Sequence, residues 1–186
     1  VVSVALNPAN MPSHLKRTLR FYYGAEPGQS GAWWNRLNDS IEAWRTDNSY
    51  RFLVGVGTKS FGGGVAILLA KNGVPFRFYN GDSNEIERFR DLANPEQFME
   101  SLGCVICTTV VGRGVDMPQS LTFNRVHLAM DRIGCDFGDQ FQTILRPRHV
   151  LNQTVEVLLC GCLSPDTRQL LVSQGKRKPV VRPTYD

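Results

Sequence analysis

The sequence predicts a three-layer α/β domain with a central, mainly parallel sheet, and two patterns carry that reading. Short apolar runs alternate with segments whose apolar residues recur every three or four places, the order expected when strands are followed by helices that pack back on a sheet. Several of the runs, such as Phe52-Leu-Val-Gly-Val56 and Cys104-Val-Ile-Cys107, carry no polar side chain at all, as strands covered on both faces require.

From Val1 to about Gly31 the chain carries Pro8, Pro12, Pro27 and three glycines and reads as an arm or linker without chemistry. Between Ala32 and Asp47 the residues Trp34, Leu37, Ile41 and Trp44 make one apolar stripe on a helix. Arg51–Val56 follows as a strand; Ser60 is placed to cap a helix that runs to Asn72 and stops at Gly73. Val74–Tyr79 is the next strand. Asp82 and Glu85 have capping-box spacing for a helix through about Leu92, and Asn94-Pro95 with Gln97 opens another that Gly103 closes. Cys104–Thr108 is a strand, 109–123 a loop, Arg125–Met130 a strand, Asp139–Leu145 a helix and Val155–Cys160 a strand. Residues 32–165 thus make the domain, and 166–186 a basic tail. Parallel sheets bind ligands beyond the carboxyl ends of their strands, which directs attention to the loops after Val56, Tyr79 and Thr108.

The 186 residues fit one domain, since domains commonly run from roughly 100 to 200. With 42% hydrophobic and 20% charged residues the composition is that of a soluble globular chain. No apolar run approaches the roughly 20 residues that span a bilayer, so no membrane partner is expected. Val1–Asn10 lacks the features of a secretion leader, and the abrupt start reads as that of a fragment. A net charge of +4, with clusters at Lys16, Arg17, Arg20 and at Lys176, Arg177, Lys178, Arg182, permits a polyanionic partner. The five cysteines include one Cys-x-x-Cys, Cys104 and Cys107. Side chains three apart on a strand face opposite ways, so this pair is no metal clasp. Buried, reduced thiols in an intracellular compartment, nucleus or cytoplasm, are expected instead.

Gly57-Thr-Lys-Ser60 imitates the end of a phosphate-binding P-loop but fails it. That loop needs glycine immediately before the lysine and again five places earlier, where this chain has Thr58 and Leu53. His14, His127 and His149 are scattered without a recognisable nucleophile, which argues against a hydrolytic triad. Trp33, Trp34 and Trp44 have the spacing of packing residues rather than of a base-stacking platform.

The strongest local pattern is Thr108-Thr-Val-Val-Gly-Arg-Gly-Val-Asp116, a polar, glycine-bearing loop directly after a buried strand. It resembles motif V of the superfamily 2 helicases. Phe78-Tyr-Asn-Gly-Asp-Ser83 is similar to the turn that lies between motifs IV and V of that family, and Phe52–Lys59 is similar to motif IV. Gln142-Thr-Ile-Leu-Arg-Pro-Arg148 resembles motif VI, although Leu145 stands where the family has glycine and Pro147 separates the arginines. The likeness covers about Phe52 to Val150. Its finer features, the Asn94–Leu102 insert and the Tyr-x-Gly-Asp turn, most resemble the herpesvirus origin-binding-protein and large-DNA-virus replication helicases.

The resemblance implies the second, C-terminal RecA-like domain of an ATP-driven motor. Lys59, Gly81, Asp82, Thr108, Thr109 and Arg113 would then contact the backbone of single-stranded or duplex nucleic acid, DNA favoured over RNA. Gly114, Asp116 and Gln142 would approach the nucleotide, and Arg146 or Arg148 would be the arginine finger. ATP and Mg2+ would be held mainly by an N-terminal RecA-like domain of the same chain. Guanidinium suits a finger because it is permanently charged and forks onto phosphate oxygens. A helicase-like binding module that has lost turnover is the alternative, favoured by Leu145.

Overall fold

The computed structural model describes residues 2–6, 17–24, 31–84, 101–109, 121–131, 137–145 and 147–160, together with 86, 90, 91, 93 and 97. The chain forms β1 (Val2–Leu6), β2 (Arg17–Gly24), α1 (Gly31–Thr46), β3 (Phe52–Val56), α2 (Lys59–Lys71), β4 (Phe76–Tyr79), β5 (Cys104–Cys107), β6 (Thr122–Phe123), β7 (Arg125–Asp131), α3 (Phe137–Leu145), β8 (His149–Val150) and β9 (Thr154–Cys160). Seven strands make one sheet in the order β1-β2-β9-β7-β3-β5-β4, and β6 and β8 pair separately. All neighbours in the large sheet are parallel except β1 with β2. The expected architecture, a RecA-like α/β domain with a mainly parallel sheet, is the one found.

β3 is the hub. Its residues are buried at all five positions, and Phe52 stands opposite Cys104 on one side and Arg125 on the other. Period-two alternation sends Phe52, Val54 and Val56 to one face and Leu53 to the other. On the first face they meet Trp33, Leu37 and Ile41 of α1 and Phe61, Val65 and Leu69 of α2; on the second, Leu53 joins Leu121, Phe123 and Val150, with Phe141 and Leu145 of α3 packed against them. Each such side chain contributes roughly 1.5–3 kcal/mol on leaving water. Cys104 and Cys107 fall in opposite faces of this core, as alternation predicts. Burial holds both thiols well above their ordinary pKa, with the Cys107 thiol pushed up to about 12.

The amino-terminal arm needs correcting. Instead of irregular chain, β2 runs parallel to β9 with Thr18 opposite Thr154 and Gly24 opposite Cys160, and β1 extends the edge antiparallel to it. Two of the basic residues in the first cluster, Arg17 and Arg20, have long-range partners. Arg20 pairs with buried Glu156 at 3.2 Å, Tyr22 donates to the same carboxylate at 2.7 Å, and Arg17 is itself buried. Two hydrogen bonds to one desolvated carboxylate offset its removal from water.

The stripe of α1 keeps Leu37 and Ile41 but replaces the two tryptophans at its ends: Trp33 and Ser40 are buried with them, while Trp34 and Trp44 are half-buried. Trp33 takes the inner position because its indole N–H reaches the Glu156 carbonyl at 3.0 Å, and Trp34 stacks on Phe61 with ring centroids 5.5 Å apart. Helix α2 starts two residues earlier than expected, capped by Thr58 rather than Ser60, and ends as expected before Gly73, whose φ of 71° is costly for any side chain.

His127 lies in β7 beneath α1, fully buried, its Nε2 2.9 Å from the Ser40 hydroxyl and its ring edge-on to Trp33 and Phe52. Burial, with the nearby Arg125 charge, lowers its pKa from 6.5 to about 3. The unfolded imidazole gains a proton below about pH 6.5, whereas the folded one resists, so stability is lost as pH falls between those two values. The loss amounts to about 1.4 kcal/mol per pH unit. Urea unfolding between pH 7.5 and 4 should therefore show the gap between wild type and His127→Gln narrowing with acid at about that slope. A gap that does not change with pH would mean that His127 is not held neutral.

Candidate nucleic-acid interface

The loops after β3, β4 and β5 lie side by side, since these strands are neighbours and point the same way. The first, Gly57-Thr58, is set by two bonds: the Gly57 amide donates to the Ala129 carbonyl at 2.9 Å, and the Thr58 hydroxyl accepts from the Phe61 amide at 3.3 Å. Thr58 has extended backbone, as an N-cap must. The Phe61 amide, which a P-loop would offer to phosphate, is thus already satisfied. Lys59 is the first residue of α2 and stands in solvent at its positive end.

The second loop is a compact turn built by Asn80 and Ser83, to which the sequence reading gave no role. Asn80 accepts from the Asp82 amide through its side chain at 2.8 Å, the Asn80 amide donates to the Ser83 hydroxyl at 2.8 Å, and the Ser83 amide donates to the Asn80 carbonyl at 3.0 Å. An Asn followed by Gly is a signal for such a turn. Gly81 is exposed with open space where a Cβ would stand. The Asp82 carboxylate pairs with Lys59, joining the first loop to the second; both side chains are well exposed.

That pairing corrects the capping assignment. Asp82 sits in the turn, and Asn84 accepts from the Ile86 amide at 2.9 Å, so Asn84 starts the helical stretch that includes Ile86, Arg90 and Asp91. Glu85 lies outside the described residues. Asp91 pins this stretch to β4: its carboxylate is buried and accepts from Arg77 at 2.9 Å and from the Tyr79 hydroxyl at 3.2 Å. Burial, reinforced by the Asp91 charge, raises the Tyr79 pKa strongly, so the phenol stays a donor.

The third loop begins at Thr108. Its amide is spent on the Tyr79 carbonyl at 3.0 Å, and its hydroxyl is buried without a hydrogen-bond partner among the described residues. Thr109 is half-buried. Arg113, Gly114 and Asp116 lie outside the described residues, as does Arg146.

Gln142 is exposed on α3, and Arg148 is half-buried just before β8. Arg148 is not brought together with Lys59, Gly81, Asp82 and the threonines. Helix α3 follows β7 and must return the chain toward the amino end of the sheet, because β9 runs parallel to β7. The bonds after it mark that end: the Leu151 amide donates to Phe123 O at 2.9 Å, Asn152 to Asn124 O at 3.1 Å, and the Thr18 amide to Gln153 O at 2.9 Å. Arg148 therefore belongs to a second region, across the sheet from the loop cluster. Sequence reasoning missed Arg17 there, which donates to the Pro147 carbonyl at 3.0 Å.

No protein-family model matches the sequence, and no curated protein matches it. Solved structures do share its fold. The second domain of the DEAD-box helicase Mss116p, bound to an RNA duplex, is similar over 89% of this chain and 64% of that one, with a TM-score of 0.56 and 16% identity. The C-terminal part of the Fun30 ATPase domain is similar over 85% and 49%, with a TM-score of 0.54 and 15% identity. The helicase domain of Hef from Pyrococcus furiosus is similar over 80% and 29%, with a TM-score of 0.50 and 14% identity. The chain thus spans less than two thirds of each of these proteins, and what is shared is the fold.

Two substitutions test the loop geometry by thermal unfolding. Thr58→Ala removes a helix cap and should cost about 1 kcal/mol. Thr108→Val exchanges an unpaired buried hydroxyl for a methyl of the same shape and should leave the melting temperature unchanged or raise it. A clear drop for Thr108→Val would show that the hydroxyl is bonded.

Proposed function

We propose that this chain is the second motor domain of an ATP-dependent nucleic-acid helicase, working with an N-terminal RecA-like domain of the same protein. One observation carries the reading: Lys59, Gly81 and Thr108-Thr109, picked out by sequence pattern alone, fall on adjacent loops at the carboxyl edge of a sheet whose fold is shared with helicase domains. In this reading one strand's phosphates lie along that edge. Lys59 supplies charge, Gly81 lets the backbone come close, and Thr109 with Arg113 completes the track, while Thr108, its amide spent and its hydroxyl buried, fixes the start of the third loop. Contacts of this kind are to the backbone, so binding is weakly sequence-specific and sensitive to salt.

Asp82 takes a different part from a phosphate contact. A carboxylate repels phosphate, and its ion pair with Lys59 must open when the strand arrives. An exposed pair is worth at most about 1 kcal/mol, so the strand displaces it readily.

Across the sheet, Arg148 and Arg146 would face the nucleotide from the partner domain, stabilising charge on the transferred phosphoryl group, with Gln142, Gly114 and Asp116 coupling that end to the third loop. Mg2+ and most of the ATP contacts would belong to the partner domain. DNA is favoured over RNA, and the placement near herpesvirus origin-binding-protein and related viral replication helicases rests on the Tyr79-Asn-Gly-Asp82 turn and the Asn94–Leu102 segment. A second reading, a helicase-like module that binds without turnover, is favoured by Leu145 in place of glycine.

Nucleic-acid-stimulated ATPase activity of the full-length protein separates the two. Arg146→Ala and Arg148→Ala, each folded and binding ATP, should include at least one variant that abolishes stimulated turnover. Absence of turnover in wild type, or two variants as active as wild type, favours the binding module. In a salt titration of strand binding, Lys59→Ala should weaken affinity and lower the slope by about one phosphate contact, whereas Asp82→Asn should tighten it by roughly two- to fivefold. Weaker binding by Asp82→Asn would make Asp82 a direct contact.

A further inference from the structure

We propose that Arg17, at the start of β2, is a positioning residue that braces the segment carrying Arg148; this rests on the reading of Arg148 as a nucleotide-facing arginine. Arg17 is 1% exposed, and among the described residues no carboxylate forms an ion pair with it. A permanently charged guanidinium in such a place is expensive, and an apolar side chain of similar volume is often the more stable choice. What the charge holds is specific. One arm, Nη2, donates to the Pro147 carbonyl at 3.0 Å, the peptide that leads directly into Arg148. The other, Nη1, donates to the Gln153 side-chain oxygen.

Gln153 completes the brace. Its amide nitrogen donates to the Val150 carbonyl at 2.6 Å, and its backbone carbonyl accepts from the Thr18 amide at 2.9 Å. Two fixed points, Pro147 O and Val150 O, thus bracket Arg148 and His149, and both are tied to the first turn of contacts between β2 and β9. Charge-assisted bonds from a planar fork fix direction as well as distance, which is what a side chain needs if it is to meet a phosphoryl group on another domain. The brace comes from β2, in the part of the chain that the sequence pattern left without chemistry.

The test is a double-substitution cycle on stimulated ATPase activity of the full-length protein, with folding and ATP affinity measured for every variant. Arg17→Lys keeps the charge but lacks the fork. Gln153→Ala removes one acceptor at a more exposed position and serves if Arg17→Lys does not fold. The brace predicts that either variant binds ATP normally and loses roughly tenfold in kcat, a cost in the range known for small misplacements of a reacting group. It also predicts that combining the substitution with Arg148→Ala costs nothing beyond Arg148→Ala alone, because the two act as a unit. A folded Arg17→Lys or Gln153→Ala protein with wild-type kcat, or a loss that adds fully to that of Arg148→Ala, overturns the brace while leaving the motor reading intact. An Arg148→Ala protein with full activity overturns the role of Arg148 itself, and the brace with it.

Discussion

Five consecutive residues, Phe52–Val56, are buried on both faces and hydrogen-bonded on both edges, and the position of every candidate functional group follows from that. A strand with no solvent side must be covered by helices above and below, and its parallel neighbours must all reach it by crossovers. The crossovers turn at the same edge, so the loops leaving β3, β4 and β5 are forced together although they are separated by more than 20 residues in sequence. The apolar core thereby supplies the geometry, and short polar turns such as Asn80-Gly-Asp-Ser83 supply the chemistry.

The same topology keeps two kinds of chemistry apart. Lys59, Gly81 and Thr109 stand at the carboxyl edge, whereas α3 carries the chain back toward Arg148 at the amino edge. In the proposed motor, a strand held at one edge and a nucleotide met at the other would be coupled by the domain's moving as a rigid body. The buried ties across the sheet serve that rigidity: Glu156 gathers Arg20, Tyr22 and, through its carbonyl, Trp33, so that β2, β9 and α1 move together.

Legibility in the sequence followed the range of the interactions involved. Strands β3, β5 and β7 and the opposed facing of Cys104 and Cys107 were readable because they depend on local apolar pattern. Strand β2 was not, because its two arginines look solvated until Glu156 and Gln153, more than 130 residues away, are brought beside them. The choice of Trp33 over Trp34 turned on one distant carbonyl, and the transfer of the helix cap from Asp82 to Asn84 on a competing partner, Lys59. That Lys59, Gly81, Thr108 and Thr109 fall on neighbouring loops follows from the order of β3, β5 and β4, which the local pattern does not give; Arg17 gave no local sign of its partners.

The central claim is that the carboxyl edge of the sheet is where nucleic acid binds, and amide hydrogen exchange of the full-length protein with and without a single strand measures it most directly. The account predicts protection on strand addition confined, within this domain, to peptides covering 57–60, 80–83 and 108–109 and the loop that follows. Protection that instead appears on β1 and β2, or along the exposed side of α1 with the three loops unchanged, would contradict it.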